Sequence, residues 1–138
     1  MNELARYTVS MDSRLLAKFD KLVEARGYEN RSEAIRDLIR GALVEEEWAA
    51  ASQRVAATVT LVYNHHSHVG DRLGHVQHHH VNIVVSSTHV HLNNDNCLEV
   101  IILRGKSRDV RSLAEELIAI KGVVHGKVAY TTEGTNIH

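Results

Sequence analysis

Polar and apolar positions alternate strictly at the start of the chain, with Arg6, Thr8 and Ser10 on one side and Tyr7, Val9 and Met11 on the other. This is the period-two signature of a strand with one wet and one dry face. The period then lengthens. Leu15, Leu16, Phe19, Leu22 and Val23 share one face of a helix that opens at the capping residues Asp12 and Ser13 and stops at Gly27. A second helix is predicted from about Asn30, whose spacing to Glu33 has the form of a capping box. It carries Ala34, Ile35, Leu38, Ile39, Ala42 and Leu43 on one face. Periodicity lapses across residues 45–53, which read as a helix tail running into a hinge, and the domain boundary is placed there, between 1–48 and 49–138. Beyond it the pattern predicts a strand at residues 57–63, a weak helix at 69–77 and two strands carrying His89 and Leu98. A strong helix through Val110, Leu113, Ala114, Leu117 and Ile118 and a strand at 124–130 complete it. The second unit has the order βαββαβ, the ferredoxin-like pattern, and the chain as a whole is α+β.

The first unit has one strand, whose backbone donors and acceptors stay unpaired unless a second copy supplies the partner. An intertwined dimer with a two-stranded antiparallel ribbon solves this. Such a ribbon fits the major groove of DNA, so Arg6, Thr8 and Ser10 of both copies are the candidate base-reading residues. The N-terminus of the second helix, around Asn30, Arg31 and Ser32, offers free N–H groups to a phosphate.

Composition narrows this little. A formal net charge of -1 gives no general attraction to nucleic acid, so DNA binding must rest on a few placed contacts. With 43% hydrophobic and 24% charged residues the chain is globular, and no apolar run approaches the roughly 20 residues needed to cross a bilayer. The N-terminus lacks the basic and apolar regions of a signal peptide, and one cysteine forms no internal disulfide, so a reducing cytoplasm fits best. At 138 residues in two small units, oligomerisation is expected.

The eleven histidines change the picture. His89 and His91 lie one residue apart in an apolar strand, so they project from one face about 6.6 Å apart. After the turn Asn93-Asn94-Asp95-Asn96, the sole cysteine, Cys97, opens the returning strand, with Glu99 on its face as an acceptor for a ligating imidazole N–H. Imidazole and thiolate together suit a late first-row metal. Taken singly, each histidine also fits a solvated surface residue and Cys97 a small buried hydrophobe; the set points to a metal site. The run His78-His79-His80 adds at most one or two ligands.

Several stretches resemble a known family. Gly27-Tyr28-Glu29-Asn30-Arg31-Ser32-Glu33-Ala34-Ile35-Arg36-Asp37 looks like the signature of ribbon-helix-helix repressors of the nickel-responsive NikR type. Gln77-His78-His79-His80, His89-Val90-His91, Cys97-Leu98-Glu99 and Gly122-Val123-Val124-His125-Gly126 match the second half, and the likeness runs from Arg6 to about Tyr130. The resemblance implies a homotetramer, with four ACT-like ferredoxin domains flanked by two ribbon-helix-helix dimers. It implies one Ni(II) per chain in a planar site of His89, His91 and Cys97 from one subunit and His78 from its neighbour, backed by Gln77 and Glu99. It also implies potassium near the domain junction at Glu33 and Asp37, and palindromic operator DNA as partner, with nickel as corepressor over nickel-uptake genes. In the loop after the first core strand, where some members carry basic residues, this chain has His65-His66-Ser67-His68. The remaining histidines, His75, His79, His80 and His125, have no assigned role.

Other classes fit less well. A metalloenzyme needs an open coordination position with an acid or base beside it. A histidine-rich storage protein leaves the strand-helix-helix unit without a purpose. An ACT-type small-molecule sensor remains an alternative regulator.

Overall fold

The computed structural model describes residues 3–138. The chain divides into two compact units, Met1–Gly41 and Ala42–His138.

In the first unit, residues 3–12 form no regular element, as expected of a strand without its partner. Helix α1 (Ser13–Ala25) starts where Asp12 accepts a hydrogen bond from the Arg14 backbone N–H at 2.7 Å. It ends in a Schellman turn, with Gly27 at φ +74° and bonds from Tyr28 N–H to the Val23 carbonyl and from Gly27 N–H to that of Glu24. Helix α2 (Arg31–Ala49) is capped by Asn30, whose Oδ1 accepts from Glu33 N–H at 2.9 Å. Ala34 is the one fully buried residue described in this unit, while Tyr7, Val9, Met11, Leu15, Leu38 and Ile39 stay exposed.

The second unit holds β1 (Arg54–Asn64), α3 (Val69–His79), β2 (Val84–His91), β3 (Asn96–Lys106), α4 (Ser107–Ile118) and β4 (Val123–Thr132). All pairings are antiparallel and the strand order is β2-β3-β1-β4, the ferredoxin-like arrangement read from the pattern. Alternate residues of β1, from Val55 to Tyr63, are buried, as are Cys97, Ile101 and Leu103 of β3. They pack against Val69 and Leu73 of α3 and Val110, Leu113, Ala114 and Leu117 of α4. Both helices therefore cover one face of the sheet.

The hinge expected at 45–53 is a correction. Helix α2 runs on to Ala49, and its end is fixed to the second unit. Trp48 is nearly buried and donates from Nε1 to the Thr131 carbonyl at 2.8 Å, with Tyr130 edge-on to its ring. Glu47 accepts from the Thr132 hydroxyl, and Ser107 donates from Oγ to the Ala50 carbonyl and from its backbone N–H to that of Gln53. Periodicity lapses at Glu45-Glu46-Glu47 because that stretch is anchored by one large side chain and not by a repeating apolar face.

Candidate metal centre

Strand register builds the site. In the β2–β3 ladder His91 pairs with Cys97 and His89 with Glu99, while in the β1–β3 ladder Tyr63 pairs with Cys97. Paired residues point to the same face, so two imidazoles, a thiol, a carboxylate and a phenol share one end of the sheet. Because β2 is the edge strand, His89 and His91 are exposed, whereas Cys97 and Glu99 lie under α3 and are buried. The connecting turn is held by Asn93, whose Oδ1 accepts from the N–H groups of Asp95 and Asn96.

Glu99 is more tightly held than its sequence position suggested. Its two oxygens accept from Tyr63 Oη at 2.8 Å and Gln77 Nε2 at 2.9 Å. Among the described residues its partners are the phenol and the amide, beside His89 across the ladder. Gln77 does stand behind the site, and Tyr63 is a participant the sequence reading missed. The available signal was its place on the buried alternation of β1, where a phenol needs a partner. Burial first, then the bond to Glu99, raises the Tyr63 pKa far above the ordinary phenol value, so it stays a donor.

The histidine rings cluster around the strand pair. Those of His89 and His91 are 5.3 Å apart, and His65 stacks on His91 at 4.7 Å. His65 and His66 both reach the Asn94 carbonyl, so the loop after β1 is clasped to the β2–β3 turn. The Cys97 thiol donates to the Tyr63 carbonyl at 3.5 Å. His78 lies exposed near the end of α3, with its ring 6.3 Å from that of His79. Among the described residues of one chain, no three His, Cys, Asp or Glu side chains surround a common point. Donor chemistry nonetheless fits a soft-to-borderline divalent ion, with a thiol directly across the ladder from one of two imidazoles on an edge strand.

The DNA-facing candidates divide. Arg6, Thr8 and Ser10 are exposed. Arg31 is engaged, its guanidinium forking onto Asp20 at 2.7 and 2.9 Å, and the Asn30 side chain is spent on its cap. At the candidate cation pair, Asp37 accepts from the Tyr28 hydroxyl, and Arg36 and Arg40 line the same cleft with Glu33. No described helix is long and apolar enough to cross a membrane.

A two-helix head joined to a ferredoxin-like domain with imidazoles and a thiol at one sheet end defines a two-domain regulator with a metal-binding core. Residues 56–131 match the NikR C terminal nickel binding domain, and residues 5–46 match the ribbon-helix-helix protein, copG family. A relative in Geobacter metallireducens is 52% identical over 139 residues, and one in Geobacter sp. strain M21 is 53% identical, both covering 100% of each chain. One in Nitratidesulfovibrio vulgaris strain Miyazaki F is 50% identical over 99% of each chain. All three bear the name "Putative nickel-responsive regulator". The chain belongs to the NikR family of ribbon-helix-helix regulators, which places it among regulators and not enzymes.

Proposed function

We propose that this chain is a cytoplasmic, nickel-responsive repressor in which Ni(II) is the corepressor for binding palindromic operator DNA, with nickel-uptake genes as targets. The observation that carries this reading is the register that sets His91 opposite Cys97 and His89 two rungs away on the same face, in a chain whose residues 5–46 match a ribbon-helix-helix unit. His89, His91 and Cys97 hold the ion, and His78 comes from a neighbouring subunit, as the resemblance to the NikR family implies. One nickel per chain and a dimer-of-dimers tetramer are implied by the same resemblance. Gln77, Tyr63 and Glu99 fix the buried side of the site.

The head needs a second copy for a physical reason. Many of its large apolar side chains, Tyr7, Val9, Met11, Leu15, Leu38 and Ile39 among them, are exposed, and residues 3–12 form no strand. Pairing two copies would cover Tyr7, Val9 and Met11 and turn Arg6, Thr8 and Ser10 outward to the bases. Phosphate contacts then fall to the N–H groups at the start of α2, with Arg31 joining only by leaving Asp20. Potassium at Glu33 and Asp37 completes the family-derived picture, against competition from Tyr28, Arg36 and Arg40 for the same carboxylates.

Titration of reduced apo-protein with Ni(II), followed by absorption, tests the reading. One equivalent per chain with a thiolate-to-nickel charge-transfer band, lost in Cys97→Ala, is the expected result. Weak binding of several equivalents without that band would leave a regulator with a different effector.

A further inference from the structure

Arg31 opens α2 and lies beside the N-terminal segment, since Arg31 and Ser32 line one cleft with Tyr7, Thr8 and Ser10. A cation at a helix N-terminus stands at the positive end of the dipole, so Arg31 does nothing for α2 itself. Its charge serves a group outside the helix. That group is Asp20 of α1, whose two oxygens accept from Arg31 Nε at 2.7 Å and Nη2 at 2.9 Å.

A forked guanidinium–carboxylate pair has the geometry of a guanidinium–phosphate pair. The two side chains are 57% and 44% exposed, so an incoming polyanion can reach them. At the same helix end the Glu33 and Ala34 N–H groups are taken by Asn30, which leaves those of Arg31 and Ser32 for an outside acceptor. Arg14 has a different kind of partner. Its fork onto Asp12 joins residues two apart and belongs to the cap of α1. Asp20 stands in the middle of α1, eleven residues from Arg31, and caps nothing.

We propose that Asp20 is an internal competitor for the DNA phosphate, which keeps the sequence-independent affinity of the head low. The proposal rests on the DNA-binding reading and sharpens it. While Asp20 holds Arg31, a phosphate meets a neutral pair in place of a cation, and that contact releases no counterion. Every duplex is therefore met with a weakened electrostatic term, and the base contacts of Arg6, Thr8 and Ser10 decide where the head stays. The formal net charge of -1 leaves little general attraction to mask the effect.

The test is the affinity of the full-length, nickel-saturated chain for random-sequence duplex DNA over a salt series, for the wild type, Asp20→Asn, Arg31→Ala and the double variant. Asp20→Asn should bind about 3-fold tighter for each head, roughly 10-fold for a two-head ribbon. Its logarithmic salt dependence should steepen by about one for each head. In the Arg31→Ala background the same substitution should do no more than Glu24→Gln, an equal charge change one turn further along α1. Weaker binding by Asp20→Asn would make Asp20 a support for Arg31 and overturn the competitor. A gain matched by Glu24→Gln, or one that persists without Arg31, would overturn it too. A wild type that binds no duplex at any salt would overturn the DNA-binding reading itself, and the competitor with it.

Discussion

Cys97 is the residue on which the proposed site turns, and its buried thiol donates to the Tyr63 carbonyl. A metal ligates the thiolate, so nickel binding must release that proton and break that bond. Nickel affinity should therefore rise with pH, and proton release should appear in calorimetry as a dependence of the binding heat on the buffer's ionisation enthalpy. A buffer-independent heat would remove the thiolate from the site. Behind the thiol, Glu99 keeps its charge under α3 because Tyr63 and Gln77 occupy its two oxygens. Tyr63→Phe deletes one donor and leaves a buried carboxylate oxygen unpaired, which costs about 1–3 kcal/mol. If the pair also orients the site, nickel affinity should fall roughly 10–100-fold. Chemical denaturation and nickel competition on the same variant separate the two effects. None of this hydrogen bonding was legible in sequence. Strand alternation placed Cys97 and Glu99 on one face, yet which oxygen meets which donor depends on β1 and α3 packing over that face.

Among the elements, the two helices of the head were the most legible, because their ends are written locally. Asp12, Gly27 and Asn30 each act within three residues of themselves. Asn30→Ala should cost about 1 kcal/mol of head stability through the lost cap, measured as a shift in the denaturation midpoint. A change near zero would mean that the exposed cap is satisfied by water alone. Acid gives a second handle. Hydrogen bonds from Arg14 and Arg31 lower the carboxyl pKa values of Asp12 and Asp20 below the ordinary 3.8. A lowered folded pKa stabilises the fold above the unfolded value and loses that contribution as pH falls through the folded one. The helicity of the head should thus weaken modestly as pH falls below about 3.8, and Asp20→Asn should remove part of that dependence; circular dichroism against pH reads both. The βαββαβ order was equally legible, since each element carries its own period. The end of α2 was not, because the partners of Trp48 are Thr131, Tyr130 and Arg111, far along the chain.

For the molecule as a whole, Trp48 decides where the chain can be cut. A fragment beginning at Gln53 discards that side chain and the Ala50 carbonyl that Ser107 binds, although both belong to the second unit. Loss of a packed tryptophan costs about 3–5 kcal/mol, so this fragment should be markedly less stable than one beginning at Ala42. The longer fragment should fold, bind nickel and fail to bind operator DNA. If it bound DNA, the head would not be the reading unit. The intact chain carries the stricter test. If nickel raises operator affinity by some factor, linkage requires operator DNA to raise nickel affinity by that same factor. Nickel titrations with and without saturating operator measure one side of the cycle, and DNA titrations with and without nickel measure the other. Equal factors above one establish the corepressor. A factor of one on both sides would mean that the head binds DNA independently of nickel, with no free energy passing from the metal site to the ribbon.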